Sequence, residues 1–252
     1  MVLNVHTVAV PTGWLARANP VAKLAACFVL GFGAALSDDA VTPAMILLLV
    51  VAVMVAGGVR VASVLRRGWP LLVSAAGLGA TTLLFGDSPT PWLTALTATI
   101  RVLAIALPGV VVLLTIDPTA LADSLVQNAR VPARFAYASL AALRLLPLMG
   151  VEWQTIKRAR RARGVDAGPN PLRQVQRFAG TVFTLLVGAI RRGTRLALAM
   201  DARGFDATRQ RTVARSQVVR KSDIALVIGA FVLLGVAVLV SMAVGAFQPV
   251  WA

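Results

Sequence analysis

One phrase that can do chemistry occurs twice in this chain. Ala162-Arg163-Gly164-Val165-Asp166-Ala167 returns as Ala202-Arg203-Gly204-Phe205-Asp206-Ala207, 40 positions later. The chemistry on offer is recognition. A guanidinium presents its N–H donors as a planar fork that fits a carboxylate or backbone carbonyls. Each copy closes a stretch rich in Ala, Leu and Arg that suits a helix. Gly directly after Arg reads as a helix stop, because it takes the left-handed conformation past the last turn. The Arg before it sits well at the negative end of the helix dipole. Two guanidinium-tipped helix ends predict two matched sockets on partner proteins. The plain alternative is a pair of glycine-capped helices with surface arginines; the extended match, made twice, favours function.

Catalytic signatures are missing from the sequence. It has no G-x-x-x-x-G-K-[ST] phosphate loop, no H-E-x-x-H, no G-x-S-x-G and no cysteine pair. Its lysines are Lys23, Lys157 and Lys221, none after a phosphate loop. Cys27 lies in an apolar run, and His6 has no Cys or carboxylate cluster beside it, so neither suggests a metal site. The expectation is a non-enzyme with no cofactor of its own.

The elements that must carry the two tips follow from composition. The chain is 58% hydrophobic and 14% charged, which is a membrane composition, yet its net charge is +15. Arg130 to Lys221 holds 19 of the 25 basic residues and four of the ten acidic ones, so this block carries the whole net charge. Five segments are apolar enough to span: Val21–Leu36, Val41–Val59, Trp69–Phe85, Trp92–Ile116 and Ile224–Phe247. The expected organisation is residues 1–116 for four membrane helices, 117–221 for a basic module, and 222–252 for a last membrane helix.

Charge sets the expected orientation. Arg17 and Lys23 stand at the start of the first segment; Arg60, Arg66 and Arg67 lie between the second and third. Asp38, Asp39 and Asp87 fall on the other side. Positive loops stay in the cytoplasm, so the N-terminus is expected inside and the C-terminus outside. No basic leader with a cleavage site is apparent. Ala133–Val151 and Phe178–Ile190 would permit a seven-span reading, but that would export Lys157, Arg158, Arg160, Arg161, Arg163, Arg173 and Arg177. Long helices on the cytoplasmic side are expected instead. Asp117-Pro118-Thr119 starts a helix to about Arg130. Val131-Pro132 breaks it. A second helix runs from about Ala133 to Arg163, kinked at Pro147. Gly168-Pro169-Asn170-Pro171 is a turn. A third helix runs from about Leu172 to Arg203.

The chain resembles the transmembrane T component (EcfT) of energy-coupling factor transporters, importers of vitamins and metals of the ATP-binding-cassette type. The resemblance rests on Arg160-Arg161-Ala162-Arg163-Gly164 and Ala199-Met200-Asp201-Ala202-Arg203-Gly204-Phe205, and extends to Leu143-Arg144-Leu145-Leu146-Pro147 and to Asn19-Pro20 with Lys23. It implies an all-α membrane protein with about five spans and a coupling module of long helices. It implies that Arg163 and Arg203 dock into two ABC ATPases, separate or fused, which hold the ATP and Mg. Ala162 and Ala202 would allow close approach, and Gly164 and Gly204 would end the helices. It further implies a small S component that binds substrate, and a bacterial-type inner membrane.

Around the tips, Arg158, Arg160 and Arg161 read equally as steering groups for an acidic ATPase surface or as contacts for anionic lipid heads. Met200 and Phe205 read as an apolar rim. Arg101 interrupts the fourth segment and reads as a snorkelling or ion-paired residue. Trp14, Trp69, Trp92 and Trp251 read as interfacial anchors. Two rival readings remain open here: a secondary transporter or permease with its own substrate site, and a membrane-anchored basic binding protein. The first wants polar groups at mid-membrane, where Arg101 stands alone; the second wants aromatics interleaved with the basic run, and Tyr137, Trp153, Phe178 and Phe183 are not. No nucleic-acid partner is expected.

Overall fold

The computed structural model describes residues 13–86, 89–164, 170–205, 213 and 215–245. His6, Asp87, the Val165–Ala167 and Asp206–Ala207 parts of the repeat, Gly168-Pro169 and Trp251 lie outside them. The described helices are α1 (Trp14–Arg17), α2 (Pro20–Leu36), α3 (Val41–Ala56), α4 (Val61–Phe85), α5 (Pro91–Thr115), α6 (Pro118–Gln127), α7 (Ala133–Ala162), α8 (Pro171–Ala202) and α9 (Lys221–Ala243). The chain is an all-α membrane protein. It divides into two compact units, one within Val131–Ala214 and one made of Val8–Arg130 with Arg215–Ala252.

In the larger unit α2 and α9 run parallel. Asn19 N–H donates to Asp223 Oδ1 (2.9 Å) at one end, and Ser241 donates to Asp39 Oδ2 (2.6 Å) at the other. Helix α5 runs antiparallel to α2, with Lys23 Nζ on the Thr115 carbonyl (3.1 Å) and Arg101 on Asp38 and on the Ala35 carbonyl (2.8 Å). Small residues let these helices close. Ala34 and Ala104 are fully buried, and Thr99 Oγ1 of α5 lies where a Cβ on Gly79 of α4 would stand. The core gathers Leu30, Ile46, Val50, Met54, Val111 and Ala230.

Among the described residues, four helices are long and apolar enough to cross a membrane: α4, α5, α7 and α9. Helices α2 and α3 are apolar but shorter, at 17 and 16 residues. At 1.5 Å per residue they reach about 25 Å, less than the ~30 Å hydrocarbon core. Helix α7 qualifies through its apolar first half; its last turns carry Lys157, Arg158, Arg160 and Arg161. Helix α4 starts at Val61, earlier than the expected Trp69. Arg66 and Arg67 therefore lie inside it, since both are good helix formers and the helix continues through Gly68 and Pro70.

Terminators are local. Asp117 caps α6 by accepting from Thr119 N and Ala120 N (both 3.3 Å). Arg130 holds a left-handed φ of 55° just before Val131-Pro132, which separates α6 from α7. Gly58 and Gly245 take positive φ after α3 and α9. Asp39, buried between α2 and α3, accepts from Thr42 N (2.7 Å) and Ser241. Burial pushes its carboxyl up, but those hydrogen bonds outweigh burial and leave it below the ordinary carboxylate range.

Candidate docking site

The smaller unit is an antiparallel pair of long helices. Helix α7 has 30 residues and α8 has 32. Near the end of α7, Arg160 Nη1 donates to the Arg177 carbonyl (3.0 Å) and to Thr181 Oγ1 (2.9 Å). One to two turns back, Trp153 meets the Phe178 ring edge-on at 5.5 Å, and Glu152 pairs with Arg192. Near the start of α7, Tyr137 meets Phe205 edge-on at 6.3 Å. The contacts thus run in opposite order along the two helices. Sequence explains the pairing: Glu152 and Arg160 are eight residues apart on one face of α7, and Arg177, Thr181 and Arg192 recur at helical spacing on α8.

Each helix ends in the same way. Arg163 and Arg203 have φ, ψ of −88°, 9° and −87°, 8°. Gly164 and Gly204 both stand at φ 69° and donate to the carbonyls of Arg161 and Asp201 at 2.9 Å. At the second end Phe205 N–H also reaches the Met200 carbonyl (3.0 Å), which completes a Schellman cap. The glycines are needed for their left-handed φ rather than for space, since a Cβ on either would meet no atom within 4 Å. Ala162, Arg163, Gly164, Ala202, Arg203 and Gly204 are all exposed. Among the described residues, neither the Arg163 nor the Arg203 guanidinium has a hydrogen bond or ion pair.

The arrangement separates the two guanidinium ends. Arg163 sits where α7 turns back, whereas Arg203 sits level with Tyr137 near the start of α7. The 26 residues between these levels amount to about 40 Å of helix. The ends therefore point away from each other and cannot share one socket.

The neighbouring residues divide. Arg158 and Arg161 are exposed beside Arg163. Arg160 is half-buried and committed to α8, so its guanidinium ties the pair of helices together. Met200 and Phe205 are half-buried, Phe205 against Tyr137. Arg101, Trp14, Trp69 and Trp92 lie in the larger unit, the tryptophans exposed and Trp14 donating to the Ala56 carbonyl (3.0 Å).

Sequence reading missed a polar hub in the larger unit. Asp223 is 1% exposed and accepts from Asn19 N and, in α9's first turn, from Arg220 N (2.8 Å). Ser124 donates to Asn19 Oδ1 (2.7 Å), and Asn128 donates to Ser124 Oγ (3.0 Å). Gln127 donates to the Arg215 carbonyl (2.9 Å) and accepts from Gln217 N (2.8 Å). The hub holds α6, α9 and the start of α2 together. Lys23, read as a basic residue at the start of the first segment, is buried, because the carbonyls of Ala16 and Thr115 take its ammonium. No spacing rule links residues some 200 positions apart, so only Asn19-Pro20 signalled a cap here.

A family model described as cobalt transport protein (CbiQ) matches residues 11–213, which include both arginine ends. Curated relatives named energy-coupling factor transporter transmembrane protein EcfT are similar over shorter stretches. That of Limosilactobacillus fermentum is 35% identical over 131 residues, 49% of each chain. That of Leuconostoc gelidum is 32% identical over 139 residues, 52% of each chain. That of Bacillus subtilis is 34% identical over 92 residues, 36% of this chain and 35% of its own. The chain thus spans about half the length of the curated relatives it matches. With a family model matched over most of its length, the chain belongs to the CbiQ family, that of the transmembrane T components of energy-coupling factor transporters.

Proposed function

We propose that this chain is the energy-transducing subunit of an ATP-driven importer of a vitamin or a metal ion, and that it hydrolyses no ATP itself. Arg163 and Arg203 each enter a groove on one of two ABC ATPases, or on the two halves of a fused one. One observation carries this reading: the two arginine ends share one backbone geometry, are exposed, and stand at opposite ends of one helical pair. A guanidinium without a partner among the described residues keeps its fork for a carboxylate or carbonyls on another chain. Rigid paired helices then convert a nucleotide-driven approach of the ATPases into a change of crossing geometry. An S component supplies the substrate site. The exposed apolar row Val175, Phe178, Val182, Leu186 and Ile190 on α8 supports a membrane or S-component face. The basic helix starts support a cytoplasmic N-terminus and an outside C-terminus.

Co-purification with the cognate ATPases tests the reading. The double reversal Arg163→Glu with Arg203→Glu removes two desolvated interfacial charges, each costing about 2–5 kcal/mol. The expected result is an intact, helical chain that no longer retains the ATPases. Wild-type yield of the complex would remove docking from the account.

A further inference from the structure

The larger unit contains an apolar cavity of about 250 Å³ among α2, α3, α5 and α9, closed at one end by Lys23. It exceeds the roughly 150 Å³ that takes benzene in an engineered apolar cavity. Its walls are in register. Lys23 of α2 stands level with Thr115, the last residue of α5, and with the first turn of α9. Leu30 of α2, Pro108 of α5 and Leu233 of α9 line it further along. Seven residues separate Lys23 from Leu30 and Thr115 from Pro108, so the slot runs about 10 Å along the helices. The cation lies at the level where helices end, and the hydrocarbon walls extend toward their middles.

The hydrogen-bond inventory at the closed end is incomplete. An ammonium has three donors. Lys23, 2% exposed, gives two of them to the carbonyls of Ala16 (3.3 Å) and Thr115 (3.1 Å). No carboxylate contacts it among the described residues; Asp223 acts through space, with both oxygens engaged by Asn19 N and Arg220 N. One turn earlier on the same face, Asn19 is 5% exposed and its Nδ2 has no acceptor among the described residues. Its amide orientation is set, because Oδ1 accepts from Val21 N and Ser124. Asn19 lies outside the lining, so the slot itself offers the third Lys23 donor and a buried charge at one end and apolar walls beyond, which match a molecule that is anionic at its head and apolar along its tail. A bilayer presents such molecules with their heads at the level of helix ends and their tails toward the middle.

We propose that this slot binds an anionic amphiphile, its oxyanion head at Lys23 and its hydrocarbon chain between α2, α5 and α9. The site rests on the membrane location of the chain and is independent of ATPase docking.

Cys27 lines the slot and is the sole cysteine of the chain, so its rate of modification by methyl methanethiosulfonate reports occupancy. The full chain is placed in phosphatidylcholine nanodiscs and dosed with laurate, with dodecanol, or with phosphatidylglycerol replacing part of the lipid. Laurate is expected to slow modification at least fivefold and dodecanol less than twofold. Protection by phosphatidylglycerol alone identifies a phospholipid as the resident; protection by laurate only identifies a free acid. Gly229→Leu fills the slot, and a Cβ at Gly229 meets no atom within 4 Å, so the bundle should keep its melting temperature. In that variant the laurate effect should vanish. In Lys23→Met, laurate and dodecanol should act alike; if that variant unfolds, the head-group comparison on the unmutated chain still decides. No protection by either anionic probe, equal protection by dodecanol, or undiminished laurate protection in Gly229→Leu would each overturn the proposal.

Discussion

The two arginine ends share a backbone and differ in what surrounds it. In register, Arg158, Arg160 and Arg161 of the first end correspond to Leu198, Met200 and Asp201 of the second. Arg160 and Met200 are both half-buried, and Arg160 is tied to α8 by its hydrogen bonds. The solvent-facing difference is Arg158 and Arg161 against Leu198 and Asp201, all exposed. The first end is a concentrated cation. The second is a single guanidinium with an apolar flank and an adjacent carboxylate. A common cap with divergent surroundings teaches that geometry and charge were set separately: the glycine fixes where the guanidinium stands, and the flanks decide what it meets. This fits two unequal sockets, as in a heterodimeric or fused ATPase pair.

The largest expected effect tests that inequality. Arg203→Glu leaves residues 198–208 with no cation, whereas Arg163→Glu leaves Arg158 and Arg161 in place. Single-variant ATPase retention should therefore fall further for Arg203→Glu, and the residual binding of Arg163→Glu should weaken more steeply with salt. Equal losses with equal salt dependence would erase the distinction.

Next in size is Arg160→Met, which copies the second end onto the first. It removes two charge-assisted hydrogen bonds to α8, each worth about 1.5–3 kcal/mol when well shielded and nearer the low end for a half-buried group. A fall in melting temperature with the ATPase interface still formed is expected. An unchanged melt would return Arg160 to the docking surface.

The smallest effects should be symmetric where the caps are and asymmetric where they are not. Gly164→Ala and Gly204→Ala each place a side chain at φ 69° and should cost about 1 kcal/mol alike. A double-mutant cycle on Tyr137 and Phe205 should return about 0.5–1.5 kcal/mol, confined to the second end. Unequal glycine costs would show that the caps are less alike than their dihedral angles.

Much of the helical pattern was legible from short-range chemistry. Asp117-Pro118 marked the start of α6, the turn ending at Pro171 put the start of α8 at about Leu172 where it begins at Pro171, and the Arg-Gly steps marked the ends of α7 and α8, because caps act over three or four residues. Arg66 and Arg67 misled, since a charge run resembles a loop until the helix that carries it is seen. Arg160 was legible as a cation but not as a tie, because its partners lie on another helix. Lys23 was legible as a basic residue near a helix start, and only the facing carbonyl ends of α1 and α5 made it a buried one.

Sequence by itself therefore determined the membrane class and the capped helix ends, the two Arg-Gly tips among them, since each depends on composition or on neighbours within one turn; uncapped ends such as the start of α4 it did not. Tertiary structure alone decided which residues meet. Asn19 finds Asp223, Arg101 finds Asp38, and Phe205 finds Tyr137 across dozens to hundreds of positions. The physical reason is that helix packing selects partners by shape and by the need to satisfy buried polar groups, and neither leaves a periodic trace along the chain.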